Sequence, residues 1–128
     1  MKKKNKIWIT GVNGMVGQAL NRILMENTNY DVLKTTRKNL DQTNQNKTQK
    51  WITKNKPDVI IITSALVGGI QLNSKNPADF LYENSIMSLN IMKAAHDSNC
   101  KKIVFLGASC MYPKLAKQPF KESQLLDG

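Results

Sequence analysis

Gly11, Gly14 and Gly17 recur at every third position in the run Gly11-Val12-Asn13-Gly14-Met15-Val16-Gly17. That pattern suits phosphate binding. Backbone without Cβ atoms can approach a pyrophosphate closely, and free N–H groups at a helix N-terminus hold its charge. Arg37 stands twenty residues beyond Gly17. Near this place a dinucleotide-binding fold sets either an acid for the ribose 2′-hydroxyl or an Arg that accommodates the 2′-phosphate of NADP. The acid nearest in the preceding segment is Asp31, at its far end, so the pattern reads as NADP. His96 is the only histidine, which leaves neither a metal cluster nor a His-based triad.

These residues need elements to position them. Ile7-Trp8-Ile9 is a short apolar run that reads as a buried strand. After the glycines, Val16, Leu20, Ile23 and Leu24 share one helical face. Tyr30 to Thr36 reads as strand two, closed by Arg37 and Lys38. Residues 44–55 are polar with Trp51 and Ile52 as anchors, a short helix. Val59-Ile60-Ile61-Ile62 is a continuous apolar run, suited to a parallel strand covered on both faces. Thr63-Ser64-Ala65-Leu66-Val67-Gly68-Gly69-Ile70 follows at the strand end where open α/β sheets bind ligands. Gly68-Gly69 reads there as either a plain turn or a ligand-facing loop.

Asn76-Pro77-Ala78-Asp79 is a helix start, with Asn as N-cap, Pro in the first turn and an acid near the positive end. The helix runs to about Ser98 with Phe80, Met87, Ile91 and Ala95 near one face. Ile86, Leu89 and Met92 widen that apolar coverage, for a second subunit or for core packing. Ile103 to Leu106 is the fourth strand. Strands and helices alternate throughout, so the fold class is α/β, a Rossmann-like parallel sheet with flanking helices. Its expected strand order is 3-2-1-4, half of a doubly wound fold.

Composition narrows the function. The chain has 128 residues, enough for one small domain, and a net charge of +10. The basic residues are 17 Lys and 2 Arg spread along the chain beside 14 Asn, which describes a solvated surface and not a nucleic-acid footprint. No apolar run approaches the roughly 18 residues of a membrane span. Lys2, Lys3, Lys4 and Lys6 lead into a strand, not into a signal-peptide core. Cys100 and Cys110 form no Cys-x-x-Cys pair, and the expected compartment is the cytoplasm.

The glycine run, Val67-Gly68-Gly69-Ile70, Asn76-Pro77-Ala78-Asp79-Phe80 and the stretch from Leu106 to Gly128 together resemble the GDP-L-fucose synthase family, within the extended short-chain dehydrogenases. The resemblance implies oxidoreductase and isomerase chemistry in nucleotide-sugar metabolism. Members epimerise GDP-4-keto-6-deoxy-mannose at C3 and C5 and then reduce C4 with NADPH. It also implies that Gly11, Val12, Asn13, Gly14, Met15, Val16 and Gly17 meet the cofactor, with Arg37, Lys38, Asn39, Leu40, Asp41 and Gln42. Leu106, Gly107, Ala108 and Ser109 are implied to run beside it, and Cys110 to match the family's epimerisation acid/base. A C4 ketone acidifies the C3 and C5 protons, so an acid/base within reach inverts each centre through an enolate. From the residue alone, Cys110 is either such a group, with its pKa lowered, or an inert buried thiol.

Two departures bear on catalysis. The family's catalytic Ser position, four residues before Tyr112, is Ala108, and the adjacent Ser109 would point the other way on an extended strand. The family's Tyr-x-x-x-Lys pair and its substrate domain would fall beyond Gly128. The expectation is a single incomplete NADP-binding domain over residues 1–128, inactive alone and self-associating, where the family forms a dimer through a four-helix contact. Another nucleotide-sugar epimerase or dehydratase, and a non-catalytic dinucleotide-binding module, are the alternatives.

Overall fold

The computed structural model describes residues 4–127. Four parallel strands carry the fold: β1 (Asn5–Ile9), β2 (Tyr30–Lys34), β3 (Val59–Ile62) and β4 (Lys102–Phe105). Between them lie α1 (Met15–Glu26), α2 (Gln45–Asn55), the short α3 (Ile70–Lys75) and α4 (Pro77–Asp97). The sequence left α3 unassigned, within the Gly-Gly loop. Gly69 occupies its N-cap position.

The sheet order is β2-β1-β3-β4. This corrects the expected 3-2-1-4 order, in which β3 lay outside β2 and β4 paired with β1. Ile7 pairs with Val32 on one side of β1, and Trp8 with Ile60 on the other, while Ile61 of β3 meets Val104 of β4. The reason lies in the run at residues 59–62. Ile60 and Ile62 are fully or nearly fully buried, and a central place gives so apolar a strand partners along both edges. The flanks extend the pairing: Thr10 N–H donates to Ile61 O, and Asp58 N–H donates to Lys6 O.

The crossovers then divide the helices. The chain moves one way through α1 to β2 and back through α2 to β3. Right-handed connections therefore put α1 and α2 on opposite faces. Trp8, Leu40, Ile52, Ile60, Ile62, Ile91, Ala94 and Ala95 form one core cluster beneath α2 and α4. Trp8 sits at its centre, its indole N–H donating to Thr35 Oγ1 at 3.0 Å and its ring 4.4 Å from that of Trp51. The α1 face is thinner. Gly17 is buried and Leu20 and Leu24 half-buried, but Val16 and Ile23 of the expected apolar face are exposed.

Smaller adjustments follow from side-chain bonds. Strand two stops at Lys34, two residues short of the expected Thr36, because Thr35 turns inward to Trp8 and Thr36 N–H donates to Asn39 Oδ1. Strand four runs from Lys102 to Phe105, one residue earlier than expected. Asn76 takes the N-cap position of α4 with Pro in the first turn, but its side chain caps nothing. On α4, Ile91 and Ala95 are buried and Phe80, Ile86 and Met87 half-buried, whereas Leu89 and Met92 are exposed.

Candidate functional site

The glycine turn joins β1 to α1 by close approach. Gly11 has φ +61°, and a Cβ there would lie 2.8 Å from the Ser64 backbone. A Cβ on Gly17 would lie 2.3 Å from Gly11 O, so the helix packs against the turn only where no side chain intervenes. Gly14 N–H donates to Gly11 O at 2.9 Å, closing the turn. Gly14 is the N-cap of α1 and supplies no side-chain bond, and no acid lies in the first turn. The positive end of α1 is thus open to an anion.

Beside the turn, polar side chains tie β1 to β3. Thr10 is fully buried, and its hydroxyl oxygen accepts from the N–H groups of Thr63 and Ser64 at 3.1 Å each. Thr63 Oγ1 donates to the Thr10 carbonyl. Ser64 Oγ donates to Gln42 Oε1 at 2.6 Å, linking the end of β3 to the loop after β2. Asp41 in that loop accepts from Thr43 N–H at 3.1 Å and Thr43 Oγ1 at 2.7 Å. The Thr43 hydroxyl bond, chiefly, holds the Asp41 carboxyl below the usual 3.8; burial opposes it, and the Thr43 amide and the nearby Arg37 and Lys47 charges assist.

Helix α4 grips both loops. The Asn84 carboxamide accepts from Leu66 N–H at 2.7 Å and donates to Leu66 O at 3.0 Å. Six residues on, buried Asn90 donates to Gln42 O and Thr43 O, each at 3.0 Å. Met87 lies between them and faces a cleft of about 700 Å³, within the usual size range of small-molecule sites. Gly11 to Gly17, Thr35 to Arg37, Leu40 to Gln42 and Thr63 to Val67 line the rest. A glycine turn, an uncapped helix end and a cation at one cleft fit a dinucleotide, whose phosphates need donors and close backbone approach.

The cleft therefore gathers the seven residues of the glycine run with Arg37, Leu40, Asp41 and Gln42. Lys38 and Asn39 are exposed and lie outside its lining, as do Leu106, Gly107, Ala108 and Ser109. Ser109, Cys110 and Met111 form an exposed 3₁₀ turn, so the alternation of an extended strand does not govern this stretch. The two thiols differ in setting. Cys110 is exposed, while Cys100 is half-buried, donates to Asp58 O, and has its pKa pushed up by burial. His96 is exposed at the end of α4, away from the cleft.

Sequence reading passed over Thr35, Thr36 and Met87 in the lining, and over Asn84 and Asn90 as its supports. One signal existed. Two Asn residues in a helix otherwise rich in apolar residues want partners if buried.

An open parallel sheet whose crossovers diverge between β1 and β3, with a glycine turn in that crevice, defines the doubly wound, Rossmann-like class of nucleotide-binding folds. Within that class, residues 7–128 match the NAD dependent epimerase/dehydratase family, and the chain belongs to it. It is 43% identical over 123 residues to a GDP-L-fucose synthase of Sinorhizobium fredii, covering 96% of this chain and 39% of that protein. With the Escherichia coli GDP-L-fucose synthase it shares 40% identity over 125 residues, 98% of this chain and 39% of the relative. The structure of MlghC, a GDP-mannoheptose C4 reductase from Campylobacter jejuni with NADP bound, superposes with a TM-score of 0.91 at 36% identity, over 100% of this chain and 40% of that one. The chain thus spans about two fifths of the length of these relatives.

Proposed function

We propose that this chain is the NADP(H)-binding portion, a single domain over residues 1–128, of a GDP-sugar epimerase/reductase of the GDP-L-fucose synthase type. The observation that carries the reading is Arg37 at the mouth of a cleft floored by the glycine turn and the open end of α1. Those elements serve different parts of one ligand. The turn and helix end hold the pyrophosphate, and Arg37 takes the 2′-phosphate as a charge-assisted pair. When bound, NADPH supplies the hydride that reduces the C4 ketone. Asn84 and Asn90 keep the two flanking loops in register while it binds.

The epimerisation role falls to Cys110, whose exposed thiol sits in the turn after β4, where the family carries its acid/base. Ser109 is the weaker candidate for holding the ketone oxygen, since Ala108 occupies the family's Ser position. The substrate class is a GDP-linked 4-keto sugar; GDP-4-keto-6-deoxy-mannose is the first to test. A GDP-heptose is the second reading, favoured by the similarity to the heptose reductase. Assembly as a homodimer through α4 is supported by Leu81, Leu89 and Met92 lying exposed along that helix. No helix among the described residues is long and apolar enough to cross a membrane, and two free cysteines accord with a cytoplasmic setting.

Titration of the chain with NADPH and NADH tests the central claim. NADPH binds more tightly, and Arg37→Asp abolishes or inverts the preference. Equal affinities in the unmutated chain would remove the NADP assignment.

A further inference from the structure

Arg37 does not stand alone at the mouth of the cleft. Its Nη2 donates to Glu83 Oε2 at 3.1 Å, from the second turn of α4. The two side chains are 69% and 31% exposed, and an ion pair this open adds little to folding. Glu83 itself does not line the cleft. Its position is nonetheless firm, because the next residue, Asn84, is the one that grips Leu66 through both its polar atoms. The other carboxylate near Arg37 belongs to Asp41, and Thr43 already engages it. Glu83 is therefore the carboxylate that meets the Arg37 guanidinium directly, from outside the ligand space.

Resting on the NADP reading above, we infer that Glu83 is a specificity-determining residue whose negative charge restrains the cleft's preference for a 2′-phosphorylated cofactor. A guanidinium has five N–H donors, and Glu83 engages Nη2, so other donors remain for a phosphate. A phosphate held there by ordinary hydrogen bonds lies about 6–7 Å from the Glu83 carboxylate. With a phosphate charge of roughly −1.5 to −2, repulsion over that distance costs about threefold in affinity at physiological ionic strength, and more at low salt. NADH, with no 2′-phosphate, does not feel it. Glu83 thus sets how strongly Arg37 discriminates, without touching either cofactor.

Nicotinamide fluorescence titrations of the unmutated chain, Glu83→Gln and Glu83→Ala, each with NADPH and NADH at two salt concentrations, test this. Glu83→Gln keeps a hydrogen bond to Arg37 and removes the charge. It binds NADPH about threefold more tightly, leaves NADH unchanged, and loses its gain as salt rises. Glu83→Ala also frees the guanidinium, so its gain is equal or smaller. Unchanged or weakened NADPH binding in Glu83→Gln overturns the inference. In that event an NADPH preference that Arg37→Asp abolishes leaves the NADP reading intact. Should the unmutated chain bind both cofactors equally while Glu83→Gln prefers NADPH, the inference stands and the reading of the chain as NADP-preferring falls. No preference in either protein removes both.

Discussion

The cleft between β1 and β3 and the segment after β4 lie at the same C-terminal edge of one parallel sheet, yet they are held differently. Around the cleft, bonds join residues far apart in sequence: Trp8 to Thr35, Thr10 to Thr63 and Ser64, Ser64 to Gln42, Asn84 to Leu66, Asn90 to Gln42 and Thr43. Beyond Leu106, whose N–H still donates to Ile62 O at 3.3 Å, the bonds are local, such as Met111 N–H to Ala108 O, Lys121 N–H to Gln124 Oε1, and Tyr112 stacked on Phe120 at 4.7 Å. Trp8, Ile60 and Thr10 beneath the cleft are fully buried, while Met15 and Val67 in its lining are exposed; after β4, Leu106, Met111, Leu115 and Leu126 are exposed. A site that must present donors at fixed positions is preorganised by ties between elements, while a segment closed on itself keeps its shape without fixing its place on the sheet. The cleft between β1 and β3 has the first kind of support and the Cys110 turn, among the described residues, has the second.

The largest blow to this contrast comes at Gly17. Gly17→Ala sets a Cβ against Gly11 O and should cost about 3 kcal/mol, the upper end for overpacking. Thermal unfolding should show the loss, and NADPH titration a collapse of binding. A variant with unchanged melting and affinity would mean that α1 can shift away from the turn freely.

Asn90→Leu comes next. It strips donors from two backbone carbonyls at a buried site, at a cost of about 2 kcal/mol. Gln124→Ala, the matching cut in the local network after β4, should cost no more than about 0.5 kcal/mol. Denaturant melts of both compare the regions directly. Equal losses would erase the distinction between them.

The smallest effect is electrostatic. Folded Asp41 binds its proton less readily than the unfolded chain does, so its contribution to stability is complete above the ordinary value of 3.8 and is lost as pH falls through the lower folded value. Asp41→Asn should therefore be slightly less stable than the unmutated chain at neutral pH, with the gap closing below pH 3.8. A gap that does not change with pH would assign the effect to the shape of the Thr43 turn and not to charge.

Local chemistry in the sequence was enough to place the glycine turn, the four strands, α2 and α4 within a residue or two. Each rests on neighbours in the chain: apolar runs, Pro77 in the first turn of α4, and glycines where a Cβ would collide. Arg37 and the loop after β3 were likewise legible, since both follow strands at the ligand-binding edge. Sheet order was not. The run Val59–Ile62 announced a strand covered on both faces, but which strand it would flank depends on hydrogen-bonded edges that meet only on folding. The same holds for Asn84, Asn90 and Glu83. From the residues alone it followed that a glycine turn opens an α/β sheet, with a cation after its second strand. Which side chains support the cleft beside that turn is a matter of tertiary structure, because α4 lies between β3 and β4 in the chain and brings residues 83, 84 and 90 against loops some 18 to 48 positions away, with Met87 in the lining.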